Sequence, residues 1–126
     1  MAQGMVRGHK DLRVWKESMQ LAADVYRVTK SLPKDERFGL TAQIRRCAVS
    51  VPANIAEGAG RGSDVDFARC VAIARGSLSE LETHLLLCED LGFLVHDEVI
   101  HDRVKLLCAM LTGLNSVLRS RRACHD

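Results

Sequence analysis

The sequence contains few prolines, which break helices, and few aromatic residues, which favour strands. Its 126 residues include only two prolines, Pro33 and Pro52, and aromatic residues make up 4% of the total. Leu, Ala, Val and Arg are abundant instead, a mixture that favours helices over sheets. A chain of this length has room for one domain with one modest core. We therefore expect residues 1–126 to form a single domain.

The sequence also lacks the marks of a secreted or membrane protein. Its five cysteines are odd in number, lie 16 to 23 residues apart and include no C-x-x-C pair. Neither a disulfide framework nor a zinc ribbon is therefore expected. The N-terminal region has no apolar signal-peptide core, and no run approaches the ~20 apolar residues that span a bilayer. We expect a reduced, cytoplasmic protein with no membrane partner.

Charge is nearly balanced overall but segregated along the chain. The net charge of +2 is too small to indicate a nucleic-acid partner by itself. Residues 1–62 carry +5, residues 63–102 carry −7 and residues 103–126 carry +4. Such blocks either pair between neighbouring segments or present a basic surface. Both interpretations stay open at this point.

Turn signals divide the chain into four segments. Pro33 disfavours helical geometry in the residue before it and should end the first helix. A glycine-rich run over residues 58–62 ends the second, and Ser63 offers a capping hydroxyl to the third. Gly92 is a natural left-handed residue after the third helix. The helices predicted in this way span about 11–31, 35–59, 64–91 and 97–121.

Apolar residues recur at helical spacings, without a competing strand pattern. The third segment has a regular seam of Phe67, Val71, Ala74, Leu78, Leu81, Leu85 and Cys88. The other seams are Leu40, Ile44, Cys47, Val51 and Ile55 in the second segment and Ile100, Val104, Leu107, Leu111, Leu114 and Leu118 in the fourth. Connections of about three to six residues make consecutive helices antiparallel neighbours. The predicted fold class is all-α, an antiparallel up-down-up-down four-helix bundle with a kink in helix two at Pro52.

The first predicted helix carries two apolar stripes on nearly opposite sides. One comprises Leu12, Trp15, Met19, Ala22 and Tyr26; the other comprises Val14, Leu21, Val25, Val28 and Leu32. A bundle core covers one side of a helix, and an exposed apolar strip usually marks an association surface. The sequence therefore predicts that the second stripe is the interface between subunits of an oligomer. The alternative is a thicker core with loops partly covering this helix.

A line of hydrogen-bonding side chains lies beside the apolar seam of the second helix. It comprises Gln43, Arg46, Ser50, Asn54, Glu57 and Arg61 at spacings of three and four. Glu57 and Arg61 are placed for an ion pair, and Arg46 can reach Ser50. The simplest interpretation is a structural polar network that steadies the bundle or its oligomer. A functional role for this line is the alternative.

The second helix also carries a recognisable signature. Residues 43–58 read QIRRCAVSVPANIAEG and closely resemble the motif of the four-helix-bundle family of 23S ribosomal RNA intervening-sequence proteins. Flanking matches include Val14-Trp15, Leu32-Pro33 and Leu91-Gly92. The resemblance extends over about residues 11–120. Cys47 departs from the pattern, because a smaller residue is usual there, and residues 124–126 lie outside it.

The resemblance implies a bundle that assembles with itself, typically as a homopentamer, and it implies no established enzyme activity. Nucleic-acid binding is the usual proposal for the family. Its original members are encoded inside ribosomal RNA genes, and a related bundle is an accessory to a reverse transcriptase in diversity-generating retroelements. The expected partners are therefore a second copy of the chain, RNA or DNA, or another protein. Family membership carries this genomic context rather than a site.

Cations that could contact a nucleic-acid backbone occur in three parts of the sequence. The candidates are Arg13, Lys16, Arg45, Arg46, Arg119, Arg121 and Arg122. The five aromatic residues are all expected to be used in packing, so binding would be to the backbone and shape rather than to bases. Two alternatives stay open. These cations are ordinary solvated residues, or the chain is a protein-interaction scaffold without affinity for nucleic acid.

Enzyme and metal sites are weakly indicated. A di-iron bundle needs two Glu-x-x-His motifs and two further glutamates, and only Glu98 and His101 have that spacing. His84 and Cys88 lie one turn apart, but two ligands are too few without a residue from a partner helix. The run over residues 58–62 lacks the Lys-Ser/Thr ending of a phosphate loop. We therefore expect a non-enzymatic protein with no catalytic residue, no metal and no cofactor.

Overall fold

Four α-helices account for most of the chain. The computed structural model describes residues 8–125, and of Asp11 and residues 122–125 it describes the backbone alone. The helices are α1 (Arg13–Thr29), α2 (Leu40–Gly60), α3 (Asp64–Asp90) and α4 (Glu98–His125), and this part of the chain contains no strand. Helix α2 packs against α1 and α3, and α4 packs against α3 and α1. The all-helical, four-helix bundle predicted from the sequence is confirmed.

The core consists of the apolar seams that the sequence indicates. Its buried members on three helices are Ile44, Cys47, Val51 and Ile55 of α2, Val71, Ala74, Leu78, Leu81, Leu85 and Cys88 of α3, and Ile100, Val104, Leu107, Leu111 and Leu118 of α4. Burial of a side chain of this size contributes about 1.5–3 kcal/mol relative to exposure. Pro52 lies inside α2; the kink at this residue and the antiparallel order of the helices stay predictions.

The structure corrects the assignment of the two stripes on the first helix. Val14, Leu21, Val25 and Leu32 are buried within the single chain, and Val28 packs partly against the same core. The stripe predicted as a subunit interface therefore faces the other helices. Because the bundle already covers it, it cannot also be the surface on which another subunit packs.

The opposite stripe of α1 is the more exposed one, with Met19 at 46% and Tyr26 at 42% of their accessible surface. Three polar residues of α1 are also buried, Ser18, Asp24 and Thr29, and two of them carry a hydroxyl group. Each hydroxyl donates to a carbonyl of its own helix, at 2.8 and 2.7 Å. Hydroxyl groups that are hydrogen-bonded in this way are compatible with a core. Ser18 and Thr29 can therefore lie on the buried side of α1.

The second helix begins later than predicted. Lys34–Glu36 form a separate 3-10 turn, and α2 begins at Leu40 rather than near residue 35. Gly39 lies between them with φ −104° and ψ −111°, which is not helical. The Oε1 of Glu36 accepts a hydrogen bond from the N–H of Leu40 at 3.2 Å, which satisfies one of the free donors in the first turn of α2. Phe38 lies on this interruption and belongs to neither helix.

Both ends predicted for α3 are confirmed. The Oγ of Ser63 accepts a hydrogen bond from the N–H of Asp66 at 3.1 Å, and Gly92 has the left-handed φ of +76°. Arg121, close to the end of α4, forms a two-point ion pair with Asp64 at the start of α3. No helix in the described part of the chain is long and apolar enough to cross a membrane.

Candidate nucleic-acid interface

Two aromatic and three arginine side chains form an exposed surface where the end of α1 meets the start of α2. This surface, called the Phe38 surface below, comprises Tyr26, Arg37, Phe38, Arg45 and Arg46, and it borders an open groove of about 500 Å³. Phe38 is 88% exposed and Tyr26 is 42% exposed. The prediction that packing uses all the aromatic side chains is therefore wrong for these two residues.

Arg45 is held in place by α1. Its Nε donates to the Oγ1 of Thr29 at 2.9 Å, and its Nη2 donates to the carbonyl of Tyr26 at 3.3 Å. Its guanidinium carbon lies 4.6 Å from the centre of the Tyr26 ring, within the range of a cation–π contact. Arg45 thus links α2 to α1, while its positive charge remains at the edge of the Phe38 surface.

The other two arginines of this surface are more available to a ligand. Arg37 lies over the ring of Phe38, with its guanidinium carbon 5.3 Å from the ring centre. Arg46 is exposed and has no ion pair with another residue of the described chain. A guanidinium offers five N–H donors in a planar fork that suits phosphate oxygens. The surrounding residues 27–46 carry six Lys and Arg against two Asp and Glu, so the local charge is positive.

The remaining predicted cations lie apart from the Phe38 surface. Arg13 and Lys16 are exposed near the start of α1, a helix about 25 Å long, whereas the Phe38 surface is at its other end. Arg119 is exposed on α4, and the charge of Arg121 is offset by its ion pair with α3. The side chain of Arg122 lies outside the described residues. Of the six candidates whose side chains the structure describes, Arg45 and Arg46 lie on the Phe38 surface and the other four do not.

The polar line predicted on α2 is not one continuous network. Glu57 and Arg61 form the predicted ion pair at 2.5 Å, with both side chains about half exposed, and exposed pairs of this kind contribute about 0–1 kcal/mol. Gln43 and Arg46 are exposed and have no hydrogen bond to the other members of the line among the described residues. The expected contact from Arg46 to Ser50 does not form.

The centre of the polar line joins α2 to α3. The hydroxyl groups of Ser50 and Ser77 lie 2.8 Å apart. The Nδ2 of Asn54 donates to the Oγ of Ser50 at 3.0 Å and to its carbonyl at 2.8 Å. Two turns after Ser50, Gly58 keeps the helices close, because a Cβ at this position would lie 2.8 Å from the Cβ of Cys70. The hydrogen bond between Ser50 and Ser77 connects α2 to α3 at this point.

A cluster of a thiol, a carboxylate and an imidazole lies between α2 and α3. Ligand atoms of Cys47, Glu80 and His84 all lie within 4.8 Å of one another. Burial, followed by a hydrogen bond to Glu80, raises the pKa of the Cys47 thiol to about 11. Since the thiolate is the reactive form, this thiol is a poor nucleophile at neutral pH. The sequence associates His84 with Cys88, whereas the neighbouring helix brings Cys47 to it.

Two groupings of side chains are not apparent from the sequence. The first is the Phe38 surface: Phe38 lies in the turn before α2, and the dipeptide Phe38-Gly39 ahead of the apolar seam was the available signal. The second grouping comprises Glu89, His96 and His101, whose ligand atoms lie within 4.8 Å of one another across the turn between α3 and α4. The non-helical residues 91–97 separate Glu89 from His101, so the turn geometry rather than a helical spacing brings them together.

The helices and their packing define the class of the protein as an all-α four-helix bundle. The sequence profile of the 23S rRNA-intervening sequence protein family matches residues 10–113. The chain belongs to this family, as the signature on α2 predicts.

A solved structure supports the same assignment. It is the crystal structure of a protein with unknown function from the S23 ribosomal protein family of Bacteroides thetaiotaomicron VPI-5482. The similarity has a TM-score of 0.61 with 25% sequence identity, and it covers 85% of this chain and 95% of that one. No curated protein is significantly similar to the chain. Neither the family nor the solved structure is described by an enzymatic activity.

Proposed function

We propose that the chain is a non-enzymatic protein that binds single-stranded RNA through the Phe38 surface. Arginine side chains contact phosphates there, and the ring of Phe38 stacks on a base. The observation that carries the proposal is the 88% exposure of Phe38 directly beneath the guanidinium of Arg37. The family is named after 23S rRNA intervening sequences, and RNA is for that reason the first ligand to test.

The arginines supply the part of the affinity that depends on salt. Each phosphate neutralised on a single strand contributes about 0.7 to the slope of log affinity against log salt. Contacts from Arg37, Arg45 and Arg46 would therefore give a slope of about −2. Arg45 contributes charge without moving, because its contacts to α1 already fix its position.

The exposed ring supplies the preference for single strands. Stacking of one base on an aromatic side chain contributes about 1–3 kcal/mol and tolerates any base. A duplex keeps its base faces stacked inside the helix, so Phe38 finds no partner there. Phe38 thus replaces the purely backbone-directed binding expected from the sequence with binding that uses both phosphates and base faces.

Fluorescence anisotropy with a labelled, unstructured RNA of ~20 nucleotides at ~50 and ~200 mM salt tests the proposal. The expected affinity falls roughly 15-fold between the two salt concentrations. Arg46→Ala should weaken binding several-fold at the lower salt and make the slope less steep by about 0.7. Arg46 makes no ion pair within the described chain, so this change leaves the fold intact.

Arg75→Ala is the matched control, because Arg75 is an exposed arginine on α3 and its removal changes the net charge by the same amount. Binding by this variant should stay within about twofold of the wild type. An absence of binding at ~50 mM salt contradicts the proposal. Equal weakening by Arg75→Ala and Arg46→Ala also contradicts it, because the attraction would then be spread over the whole surface.

Self-assembly, or docking of another protein, is the second candidate function, and a row of apolar side chains on α4 favours it. Val99, Leu106 and Val117 are 64%, 38% and 51% exposed. Their spacings of seven and eleven residues are close to two and three helical turns, so they lie along one line of the helix. This row replaces the buried stripe of α1 as the proposed contact between copies, and the homopentamer implied by the family remains part of this proposal.

Light scattering on Leu106→Asp tests this second candidate. A charge in the middle of the row should reduce the mass of the assembly, because burying it against another subunit is costly. Lys105→Asp is the control, since Lys105 is exposed on the same helix beside the row. A monomeric wild-type chain, or an unchanged mass for Leu106→Asp, would exclude assembly through α4. If the chain assembles but binds no RNA, the remaining candidate function is a protein-interaction scaffold.

A reducing location fits both candidates. Four of the cysteines, Cys47, Cys70, Cys88 and Cys108, are free, and disulfides are rare where thiols are kept reduced. We therefore place the proposed activity in the cytoplasm.

A further inference from the structure

Three potential metal ligands converge where α3 ends and α4 begins. Glu89 is in the last turn of α3, His96 is in the connecting turn and His101 is in the first turn of α4. One carboxylate oxygen of Glu89 lies 3.0 Å from the Nδ1 of His96, and the other lies 2.6 Å from the Nε2 of His101. The two imidazole rings are nearly parallel, with their centres 4.4 Å apart.

The donor set suits a divalent transition-metal ion. Two imidazoles and one carboxylate form the ligand set of many catalytic zinc sites and of non-haem iron sites. At metal–ligand distances of about 2.0–2.2 Å, neighbouring donors lie roughly 3–3.5 Å apart. The carboxylate oxygens of Glu89 lie 3.0 and 2.6 Å from the two histidine nitrogens, and the three ligand atoms all lie within 4.8 Å of one another, so the side chains must shift to bring all three donors to one ion.

A second carboxylate, that of Glu98, contacts His96 from outside the cluster. The Nε2 of His96 lies 3.0 Å from the Oε2 of Glu98, while its Nδ1 faces Glu89. Metal-bound histidines usually donate their other ring N–H to a carboxylate, which fixes the tautomer and the ring orientation. His96 already has this arrangement, with one nitrogen directed at the cluster and the other at Glu98.

The cluster also combines rigidity with access. The side chains of His101 and Glu89 are only 11% and 17% exposed, whereas that of His96 is 50% exposed. Both histidines border a groove of about 500 Å³ that also includes Arg27 and Ser31. Two ligands are therefore held by the fold, and the groove leaves room for water or a small anion at the open position of a three-ligand site.

From this geometry we propose that Glu89, His96 and His101 bind one Zn²⁺-class divalent metal ion, with Glu98 as the outer carboxylate that orients His96. The proposal is independent of RNA binding. It also revises the expectation of no metal, because the isolated Glu98-x-x-His101 motif does not show that Glu89 completes the ligand set from the preceding helix.

The other mixed cluster, formed by Cys47, Glu80 and His84, is less suited to this role. Cys47 is 6% exposed and belongs to the apolar core. The Nδ1 of His84 is buried and has no hydrogen-bond partner among the described residues, so the outer support present at His96 is missing. This cluster serves as an internal comparison.

Titration of the chelator-treated full chain, without a histidine tag, tests the proposal with Zn²⁺ by calorimetry and with Co²⁺ by visible absorption. We expect one saturable site per chain with a dissociation constant below about 1 μM. His96→Ala should weaken binding by at least about 100-fold, and Glu98→Gln should weaken it by about 10–100-fold. His96 is half exposed, so its removal should leave the circular dichroism spectrum unchanged.

His84→Ala is the control, since it removes one imidazole from the comparison cluster. Unchanged binding by this variant, together with loss of binding by His96→Ala, supports the proposed site. Loss of binding by His84→Ala but not by His96→Ala overturns the assignment. Absence of a saturable site in the wild-type chain overturns it as well. The metal-free chain should still bind RNA in the presence of chelator. This measurement distinguishes failure of the metal site from failure of RNA binding.

Discussion

Arg45 and Thr29 connect the second helix to the end of the first through a 2.9 Å hydrogen bond from Nε to Oγ1. The same Thr29 hydroxyl donates to the carbonyl of Val25 inside the core, so the bond reaches from the surface into the buried part of α1. The guanidinium of Arg45 also covers the ring of Tyr26. This single side chain therefore both stabilises the bundle and contributes charge to the Phe38 surface.

Arg45→Ala should lower the free energy of unfolding by about 1–2 kcal/mol, because a hydrogen bond to a charged group and a cation–π contact are lost. Arg45→Lys should not restore it, since an ammonium cannot reproduce the planar fork. Urea denaturation measures both effects. Arg46→Ala is the control and should change stability by less than about 0.5 kcal/mol. Equal stability of Arg45→Ala and wild type would show that the link is not stabilising.

Gly58→Ala should destabilise the bundle by about 1–3 kcal/mol through overpacking. A Cβ at this position would lie 2.8 Å from the Cβ of Cys70 and 3.3 Å from the Cα of Phe67, so backbone would have to move. Gly60 is in the same helix, and a Cβ there meets no described atom within 4 Å. Gly60→Ala should therefore be neutral or stabilising by up to about 1 kcal/mol. Thermal unfolding compares the two variants, and similar melting temperatures would contradict the close packing of α2 on α3.

The hydroxyl pair between Ser50 and Ser77 should have a measurable coupling energy. A double-mutant cycle with Ser50→Ala and Ser77→Ala should give about 0.5–1.5 kcal/mol in chemical denaturation. The ion pair between Glu57 and Arg61 provides the comparison, because both side chains are about half exposed and the coupling should be at most about 0.5 kcal/mol. A larger coupling energy between Glu57 and Arg61 than between Ser50 and Ser77 would contradict the greater stabilising role expected for the hydroxyl pair.

Cys47 should resist alkylation in the folded chain. Its thiol pKa is raised to about 11 from the ordinary 9.0, so roughly one thiol in a thousand is ionised at pH 8. Site-resolved mass spectrometry after iodoacetamide treatment should show labelling at least about 100-fold slower than in guanidinium chloride. The labelling rate should increase as the pH rises toward the raised pKa. Equal rates in the folded and unfolded chains would contradict this environment for Cys47.

The fold was largely predictable because the seams of three helices are regular. Leu78, Leu81 and Leu85 recur at spacings that only one face of a helix can satisfy, and they are buried. The stripes of α1 were harder to assign, because both are apolar and periodicity cannot show which one the other helices cover. Burial of Ser18 depends on a hydrogen bond to its own helix, which residue type alone does not reveal.

The candidate site was less predictable because it depends on backbone breaks. Phe38 is 88% exposed in the turn before α2, whereas the sequence analysis assigns its ring to packing. The proposed metal ligands also depend on the connection between two helices. The turn that contains His96 brings Glu89 of α3 close to His101 in the first turn of α4. The charged residues of the site were easier to predict than Phe38. Arg46, a candidate from the sequence, is exposed and forms no ion pair within the described chain.

The preference of the chain for single-stranded over duplex RNA tests the central claim most directly. Anisotropy at ~50 mM salt should show tighter binding of a ~20-nucleotide single strand than of a duplex of equal length. Phe38→Ala should weaken single-strand binding by about 5–150-fold, corresponding to the loss of one stacked base, and leave duplex binding unchanged. Val95→Ala, which removes another highly exposed apolar side chain, should change neither. Equal affinities for the two RNAs, or an unaltered single-strand affinity for Phe38→Ala, would contradict the proposed role of the Phe38 surface.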